Sequence, residues 1–347
     1  MVKNVWDRII DTGSVFVIAE AGINHNGNLS VAKKLVDEAF RAGADAVKFQ
    51  TFFAKDLAVP GAPKADYQKQ SGSADESQLD MLSKLELKEG QWLKLYEYCR
   101  EKGIIFMSTP FDNKSVELLD GLGMEVFKIS SGEITNIPFL SYVASKKKPV
   151  ILSTGMSTLA EVEAAVKAIK NSGIGKIVLL HCVSNYPARA QEVNLKAMLT
   201  LKEKFGFPVG YSDHTLGIDI TIAAVALGAS VIEKHFTLKC DSVGPDHKIS
   251  LEPGQLQSMI KNIHRVKIAL GDGQKRPVSS EEAVAKAVRK SLVAACDIKA
   301  GTVLEEGFIA IKRPGTGLPP AKINGLIGRQ VKLNITKGTL LSLEMLI

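Results

Sequence analysis

No apolar run in this 347-residue chain approaches the roughly 18 residues of a membrane-spanning helix, so no bilayer-embedded segment is expected. Residues 1–8 lack the apolar core of a secretory leader, and cytoplasmic residence is the expectation. Cysteine is sparse: Cys99, Cys182, Cys240 and Cys296 lie far apart and form no CxxC pair. That excludes a zinc knuckle and favours reduced thiols over a disulfide framework. There is no P-loop, and Gly271-Asp272-Gly273 lacks the strand-to-helix setting of a dinucleotide fingerprint. Basic residues exceed acidic ones by 44 to 37, yet the lysines form no block and no RNA- or DNA-binding motif occurs. Nucleic acid is therefore not an expected partner, and the net charge of +7 fits a solvated surface or the steering of a small anion.

Eight short apolar runs are present, and nearly all end in polar or ionisable residues. Run 15–20 ends in Glu20, and run 46–50 carries Lys48 and ends in Gln50. Run 104–109 ends in Ser108-Thr109, run 126–131 carries Lys128 and ends in Ser130-Ser131, and run 150–154 ends in Ser153-Thr154. Run 177–181 ends in His181, run 209–214 in Ser212-Asp213-His214, and run 231–235 in Glu233-Lys234-His235. Stretches of helical length separate most of them. Eight strand–helix units in about 250 residues predict a (β/α)₈ TIM barrel, an α/β fold with its chemistry at the C-terminal ends of the strands.

Between the runs, Leu29–Ala42 places Ala32, Leu35, Val36 and Ala39 on one helical face. Residues 157–169 repeat the pattern, with Ser157 and Thr158 as candidate caps. Residues 52–84 are long and polar and read as a lid or binding loop above the catalytic rim. Pro253–Leu270 reads as the last barrel helix. The expected division is a catalytic barrel over 1–270, a breaker-rich linker over 271–287, and a small turn-rich β domain over 288–347 with strand-like runs at 291–295 and 330–333. About 60 residues make a marginal independent core, so this domain is expected to pack on its own barrel or on a partner subunit.

His214 and His235 end runs seven and eight, neighbours in a closed barrel, where two imidazoles can converge on one divalent ion. Glu20, beside run eight, is placed to complete an N/O ligand set. Lys48 and Lys128 sit between apolar neighbours and offer ammonium groups to phosphate or carboxylate. A Schiff base with a carbonyl substrate is the rival role for a lysine. Thr109, Ser131 and Ser153 add neutral donors around an anion. Asn24-His25-Asn26-Gly27 reads either as a turn or as part of the site, and Asp246 in the loop after run eight overlooks the imidazoles. Cys182 reads as a buried thiol.

These residues carry a resemblance. Asn24-His25-Asn26-Gly27, Lys48-Phe49-Gln50-Thr51, Ser130-Ser131-Gly132-Glu133 and Ser153-Thr154-Gly155-Met156 resemble the sialic acid synthases, as do Tyr211-Ser212-Asp213-His214-Thr215, Glu233-Lys234-His235-Phe236-Thr237 and Gly244-Pro245-Asp246-His247. Lys312-Arg313-Pro314-Gly315-Thr316-Gly317 resembles their C-terminal SAF domain, which is similar to type III antifreeze proteins. The resemblance covers nearly the whole chain. It implies condensation of phosphoenolpyruvate with an N-acylated mannosamine-type sugar (N-acetylmannosamine or a 2,4-diacetamido-6-deoxy analogue) to a nine-carbon nonulosonic acid and phosphate. It implies His214 and His235 as ligands of a divalent metal, Mn²⁺ first, with Mg²⁺ or Co²⁺ as substitutes, and Glu20 as a catalytic carboxylate. Lys48, Gln50, Thr109, Lys128, Ser131, Ser153 and Tyr186 match phosphoenolpyruvate contacts. Ser184, two residues before Tyr186, stands where some members carry Asn and is read as lining the same site. Asp246 matches a sugar contact, and Arg313 an arginine lent to the other subunit of a domain-swapped homodimer. Three rival readings exist: a phosphoenolpyruvate aldol synthase acting on a phosphorylated sugar, a Schiff-base aldolase using Lys128 or Lys234, and a non-catalytic sugar- or ice-binding protein.

Overall fold

The computed structural model describes residues 4–65, 68 and 76–347. The chain forms two compact units, Met1–Gly271 and Asp272–Ile347.

The first unit is built on eight strands: β1 Phe16–Gly22, β2 Ala46–Thr51, β3 Ile105–Pro110, β4 Phe127–Ile129, β5 Val150–Ser153, β6 Ile177–Cys182, β7 Val209–Asp213 and β8 Val231–His235. Each forms from one of the eight apolar runs. All pair in parallel in the order β3-β2-β1-β8-β7-β6-β5-β4, and β3 packs beside β4, so the sheet curls into a nearly closed barrel with helices outside. β4 is shorter than its run because Ser131–Glu133 turns into a 3₁₀ helix.

The side-chain period of two explains the layering. Outward residues such as Val17, Val47, Phe127, Leu152, Leu179 and Ile232 pack under the helices in the main core. Inward residues begin apolar at the N-terminal end, with Phe16, Ile18, Ala46, Met107, Ile151 and Val178 forming a second core. Val5 and Ile9 of helix Val5–Ile9 belong to that core and close the bottom of the barrel. One step further up each strand the inward positions turn polar, at Glu20, Lys48, Lys128 and Glu233. Close strand approach requires Gly210 on β7, because a Cβ there would lie 2.2 Å from the Val231 carbonyl oxygen.

Helix Leu29–Ala42 buries the face read from its spacing and is capped by Asn28. Helix Leu159–Asn171 starts at Thr158, whose hydroxyl and the Glu161 carboxylate form a capping box. Helix Pro253–Leu270 has its expected bounds. The stretch 52–84 corrects the reading of a plain loop. It contains helix Ala54–Leu57 and enters helix Gln78–Leu85, capped by Ser77. The helix was hidden by a polar sequence, of whose four apolar residues it buries Met81, Leu82 and Leu85 and leaves Leu79 half-buried. Residues 66, 67 and 69–75 of this stretch lie outside the described residues.

The second unit carries an antiparallel pair, β9 Ser291–Ala294 and β10 Ile309–Lys312. Its core gathers Leu292, Ile298, Leu304, Leu326, Val331 and Leu341. The run 330–333 makes isolated bridges, Val303 to Gln330 and Val331 to Leu346, and no strand. The stretch read as a linker over 271–287 holds a 3₁₀ turn, Ser279–Glu281, and most of helix Glu282–Val288. No helix among the described residues is long and apolar enough to cross a membrane.

Candidate active site

The polar inward positions open into one cavity of about 480 Å³ at the C-terminal end of the barrel. Glu20, Lys48, Gln50, Thr109 and Lys128 line it from β1 to β4, and Ser131, Ser153, Ser184 and Tyr186 from the ends of β4 to β6. His214, His235 and Asp246 complete it from β7, β8 and the loop after β8. Every barrel residue singled out in the sequence as a substrate or metal contact therefore lines the same space. Arg313 belongs to the second unit, where it is exposed just after β10 and its Nε donates to the Val288 carbonyl oxygen at 3.1 Å.

Two carboxylates and two ammonium groups sit at the bottom of the cavity. Lys48 Nζ lies 2.7 Å from Glu20 Oε2 and 3.7 Å from Glu233 Oε2, and Lys128 Nζ lies 3.4 Å from Glu233 Oε1. Lys48 also donates to Thr109 Oγ1 at 2.9 Å, Gln50 Nε2 to Glu20 Oε1 at 3.2 Å, and Ser212 Oγ to Glu233 Oε1 at 3.1 Å. All four charged groups are buried, so neither lysine snorkels to the surface. Burial drives the Glu20 carboxyl above its ordinary pKa despite the pull of Lys48. Burial also opposes ionisation of Glu233, but Lys128 and Lys48 together outweigh it and hold that carboxyl well below its ordinary value. The surroundings thus split the pair: Glu233 is the fixed anion and Glu20 the group poised to exchange a proton.

Glu233 was not singled out in the sequence, although the alternation was legible. Residues 231, 233 and 235 share the inward face of β8, and Lys234 points the other way. Lys234 is fully buried behind the barrel wall, where its Nζ donates to Asp213 Oδ2 at 2.8 Å and to the Thr215 carbonyl oxygen at 2.5 Å. Asp213 also accepts from Thr215 and Thr221. This places Lys234 outside the cavity lining and removes it as a Schiff-base nucleophile. His181 likewise faces outward, its Nε2 2.7 Å from the Val193 carbonyl oxygen, and does not line the cavity.

His214 and His235 stand with ring centroids 5.6 Å apart, and Tyr186 lies 4.2 Å from the His214 ring. Burial lowers both imidazole pKa values, that of His214 to about 4, so both rings are neutral at physiological pH. His214 Nδ1 donates to the Val183 carbonyl oxygen at 2.6 Å, which leaves Nε2 as a lone-pair donor. His235 Nδ1 is buried with no hydrogen-bond partner. A neutral imidazole oriented by a carbonyl and a second with an orphaned nitrogen fit a divalent cation. Among the described residues no group of three or more His, Cys, Asp or Glu forms a cage, so the pair suits an open site and not a closed structural one.

Asp246 Oδ2 lies 3.7 Å from His235 Nδ1. Burial first, and then the neighbouring Glu20, push the Asp246 carboxyl up to about 7. Its loop is tied to the Asn24-His25-Asn26-Gly27 turn. Asn24 Nδ2 donates to the Phe236 carbonyl oxygen at 2.8 Å and to Ser250 Oγ at 3.0 Å, and Ser250 Oγ donates to the Asp246 carbonyl oxygen at 2.6 Å. Asn26 Nδ2 donates to the Val243 carbonyl oxygen at 2.9 Å. The motif is a turn, with Asn26 at φ 51°; its four residues do not line the cavity, and it anchors the loop that carries Asp246. Across the cavity Gly155 lets the chain after β5 pass close, since a Cβ there would lie 2.3 Å from Ser184 Oγ.

His25 packs between Phe49 and Trp92, and burial lowers its pKa from 6.5 to about 4. The unfolded chain therefore binds the proton more readily, and stability is lost as pH falls from about 6.5 towards 4. The complete effect is about 3 kcal/mol. Between pH 7 and pH 5 the wild-type chain is expected to lose about 2 kcal/mol that a His25→Gln variant keeps. Parallel pH dependences of the two denaturation midpoints would refute this.

Paired acids, buried lysines and metal-competent imidazoles on the catalytic face of a barrel make this an enzyme of small anionic molecules. Comparison with known proteins narrows the class. The model of the NeuB family matches residues 35–275, and that of the SAF domain residues 289–347. N,N'-diacetyllegionaminic acid synthase of Campylobacter jejuni is 49% identical over 327 residues, covering 94% of this chain and 98% of that protein. The synthase of the same name from Legionella pneumophila is 46% identical over 333 residues, covering 95% and 94%. The crystal structure of N-acetylneuraminic acid (sialic acid) synthetase from Leptospira borgpetersenii, in complex with citrate, matches with a TM-score of 0.70 at 37% identity, over 79% of this chain and 90% of that one. The chain belongs to the NeuB family and is a phosphoenolpyruvate-utilising transferase.

Proposed function

We propose that this chain condenses phosphoenolpyruvate with an open-chain N-acylated mannosamine-type sugar and water, forming a nine-carbon 2-keto acid of the sialic acid type and phosphate. The observation that carries this reading is the single cavity in which Lys48, Lys128, Glu20, His214 and His235 meet, in a chain nearly half identical to two nonulosonate synthases.

Lys128 and the Ser131 and Ser153 hydroxyls receive the two anionic groups of phosphoenolpyruvate, with Lys48 beside them. A proton on Glu20 leaves three charges among the four buried groups, two positive and one negative, so a net positive charge faces the incoming anion. Carbon 3 of phosphoenolpyruvate bonds to the aldehyde carbon, and the aldehyde oxygen takes the proton held by Glu20 to become a hydroxyl, leaving Glu20 as a carboxylate. Carbon 2, now electron-poor, accepts a water whose proton passes to Glu20. The tetrahedral carbon then expels phosphate by C–O cleavage and becomes the keto group. Holding the two carbons face to face contributes roughly 7–11 kcal/mol in favourable cases. A divalent cation bound by His214 and His235, Mn²⁺ in preference to Mg²⁺ or Co²⁺, supplies Lewis acidity toward the aldehyde oxygen. Asp246 binds sugar hydroxyls. Arg313 serves the N-acyl group in the active site of a second subunit, within a homodimer that exchanges its SAF domains. The reaction belongs in the cytoplasm, where phosphoenolpyruvate is made.

In ¹⁸O-water the label is expected in the nonulosonate and not in phosphate, as read by mass spectrometry. Label in phosphate would exclude C–O cleavage.

A further inference from the structure

His214 and His235 lie just past the last rung of the β7–β8 ladder, which pairs Asp213 with Lys234. Backbone pairing between these two strands therefore stops one residue short of the two imidazoles. On the outer face of that last rung, Asp213 and Lys234 form an ion pair whose side chains are wholly buried. Its bonds adjoin both histidines. Asp213 Oδ1 accepts from the Thr215 N–H at 2.8 Å and from Thr215 Oγ1 at 2.7 Å, which turns the chain about His214. Lys234 Nζ donates to the Thr215 carbonyl oxygen as well as to Asp213, so β8 grips the chain on either side of His214. Asp213 Oδ2 also accepts from Thr221 Oγ1 at 2.6 Å, which ties the helix Asp219–Ala226 to the same carboxylate. On β8, Lys234 directly precedes His235. The His235 ring has no hydrogen bond at Nδ1, so the position of its backbone largely decides where the ring lies.

We propose that the Asp213–Lys234 pair, outside the cavity, is a positioning device that sets the spacing of the His214 and His235 rings and thereby the affinity of the site for a divalent cation. The inference rests on the reading of those imidazoles as cation ligands, and it gives a role to two residues that touch neither substrate nor cation. Energetics favour position over stability as that role. Taking both charges out of water offsets most of their attraction, so a neutral pair of similar volume holds a fold about as well. A neutral pair does not reproduce the geometry. The ammonium is what ties the Thr215 carbonyl to β8, and without it the chain around His214 is free to shift against the chain around His235. A cation shared by two ligands tolerates little of this, because its bond lengths are fixed to within about 0.2 Å. The anion side of the cavity does not depend on the clamp. Lys128, Ser131 and Ser153 stand across the barrel, on and just after β4 and β5.

The test titrates Mn²⁺ alone, by water-proton relaxation on the full-length protein without substrate, into the wild type, Asp213→Asn, Lys234→Met and the double variant. Each single variant strands one buried charge and should lower the unfolding temperature. The double variant strands none and should regain most of that loss. Its manganese affinity should nonetheless stay about 10- to 100-fold below the wild type, the usual effect of losing a group that orients metal ligands. In the same variant the rise in unfolding temperature caused by phosphoenolpyruvate should stay near its wild-type value. A merely structural role predicts instead that affinity recovers together with stability. Wild-type manganese affinity in the double variant, or equal losses of manganese and phosphoenolpyruvate binding, would overturn the clamp while leaving the imidazoles as ligands. Thr215→Val removes one bond beside His214, keeps every charge and covers the case in which the double variant does not fold. It should weaken manganese binding in the same direction, and an unchanged affinity there would overturn the proposal. A wild-type protein that binds no manganese would overturn the cation reading and this inference with it.

Discussion

Replacing His235 by alanine is expected to lower phosphate release about 1,000-fold. Polarising a carbonyl oxygen with a bound cation contributes several kcal/mol, and about 4 kcal/mol corresponds to a thousandfold in rate. His235 is one of two neutral imidazoles facing the cavity, and its Nδ1 makes no hydrogen bond. His214 cannot serve alone, because its Nδ1 is committed to the Val183 carbonyl and one nitrogen remains. Two groups that act as a unit give non-additive losses, so the His214→Ala/His235→Ala double variant should be little worse than either single one. Manganese affinity, read by water-proton relaxation without any substrate, should fall in parallel. The effect separates from misfolding if His235→Gln keeps the unfolding midpoint within a few degrees while losing the cation. Full activity in the alanine variant, or wild-type turnover indifferent to EDTA, would remove the imidazole pair from the reaction.

The second large effect concerns Glu233, the carboxylate that accompanies both lysines. Glu233→Gln leaves Lys48 with Glu20 at 2.7 Å but takes the 3.4 Å partner from Lys128. Breaking a buried pair by removing one partner costs about 3–5 kcal/mol, because the remaining charge is left in a desolvated site. Replacing Lys128 by methionine in the same chain removes that stranded ammonium. Glu233→Gln/Lys128→Met should therefore be destabilised by less than the sum of the two single variants, with a coupling of about 0.5–3 kcal/mol. Phosphoenolpyruvate, which supplies the missing negative charge, should raise the unfolding temperature of Glu233→Gln by more than that of the wild type. Strictly additive losses would mean that the 3.4 Å contact carries no energy and that the two lysines are held by other means.

The alternation of the eight runs was sufficient to place the strands, because a two-residue period with an apolar outer face leaves little freedom in which side chains enter the barrel. The same alternation separates Glu233 and His235, which enter the cavity, from Lys234, which does not. It is easily overlooked where three ionisable residues stand in a row. The helix Gln78–Leu85 was hidden for the opposite reason. Its buried face is too narrow to register as a period within a polar segment, and it is stabilised by packing on Ile23 and Phe52, residues far away in the chain. The apolar cluster of Ile23, Phe52, Leu57, Leu82 and Phe111 beside the cavity could not be read at all, since these residues follow three different strands.

The sequence by itself determined the strands, the register of inward and outward side chains, and the set of acids, lysines, hydroxyls and histidines at the strand ends. Tertiary structure decided which of those groups share a proton, which are fixed ions, and which face away from the substrate. The reason is that side-chain direction is a local property of an extended backbone. Desolvation and charge pairing arise only when the closing barrel brings Glu20, Lys48, Lys128 and Glu233 from four strands into one water-poor space.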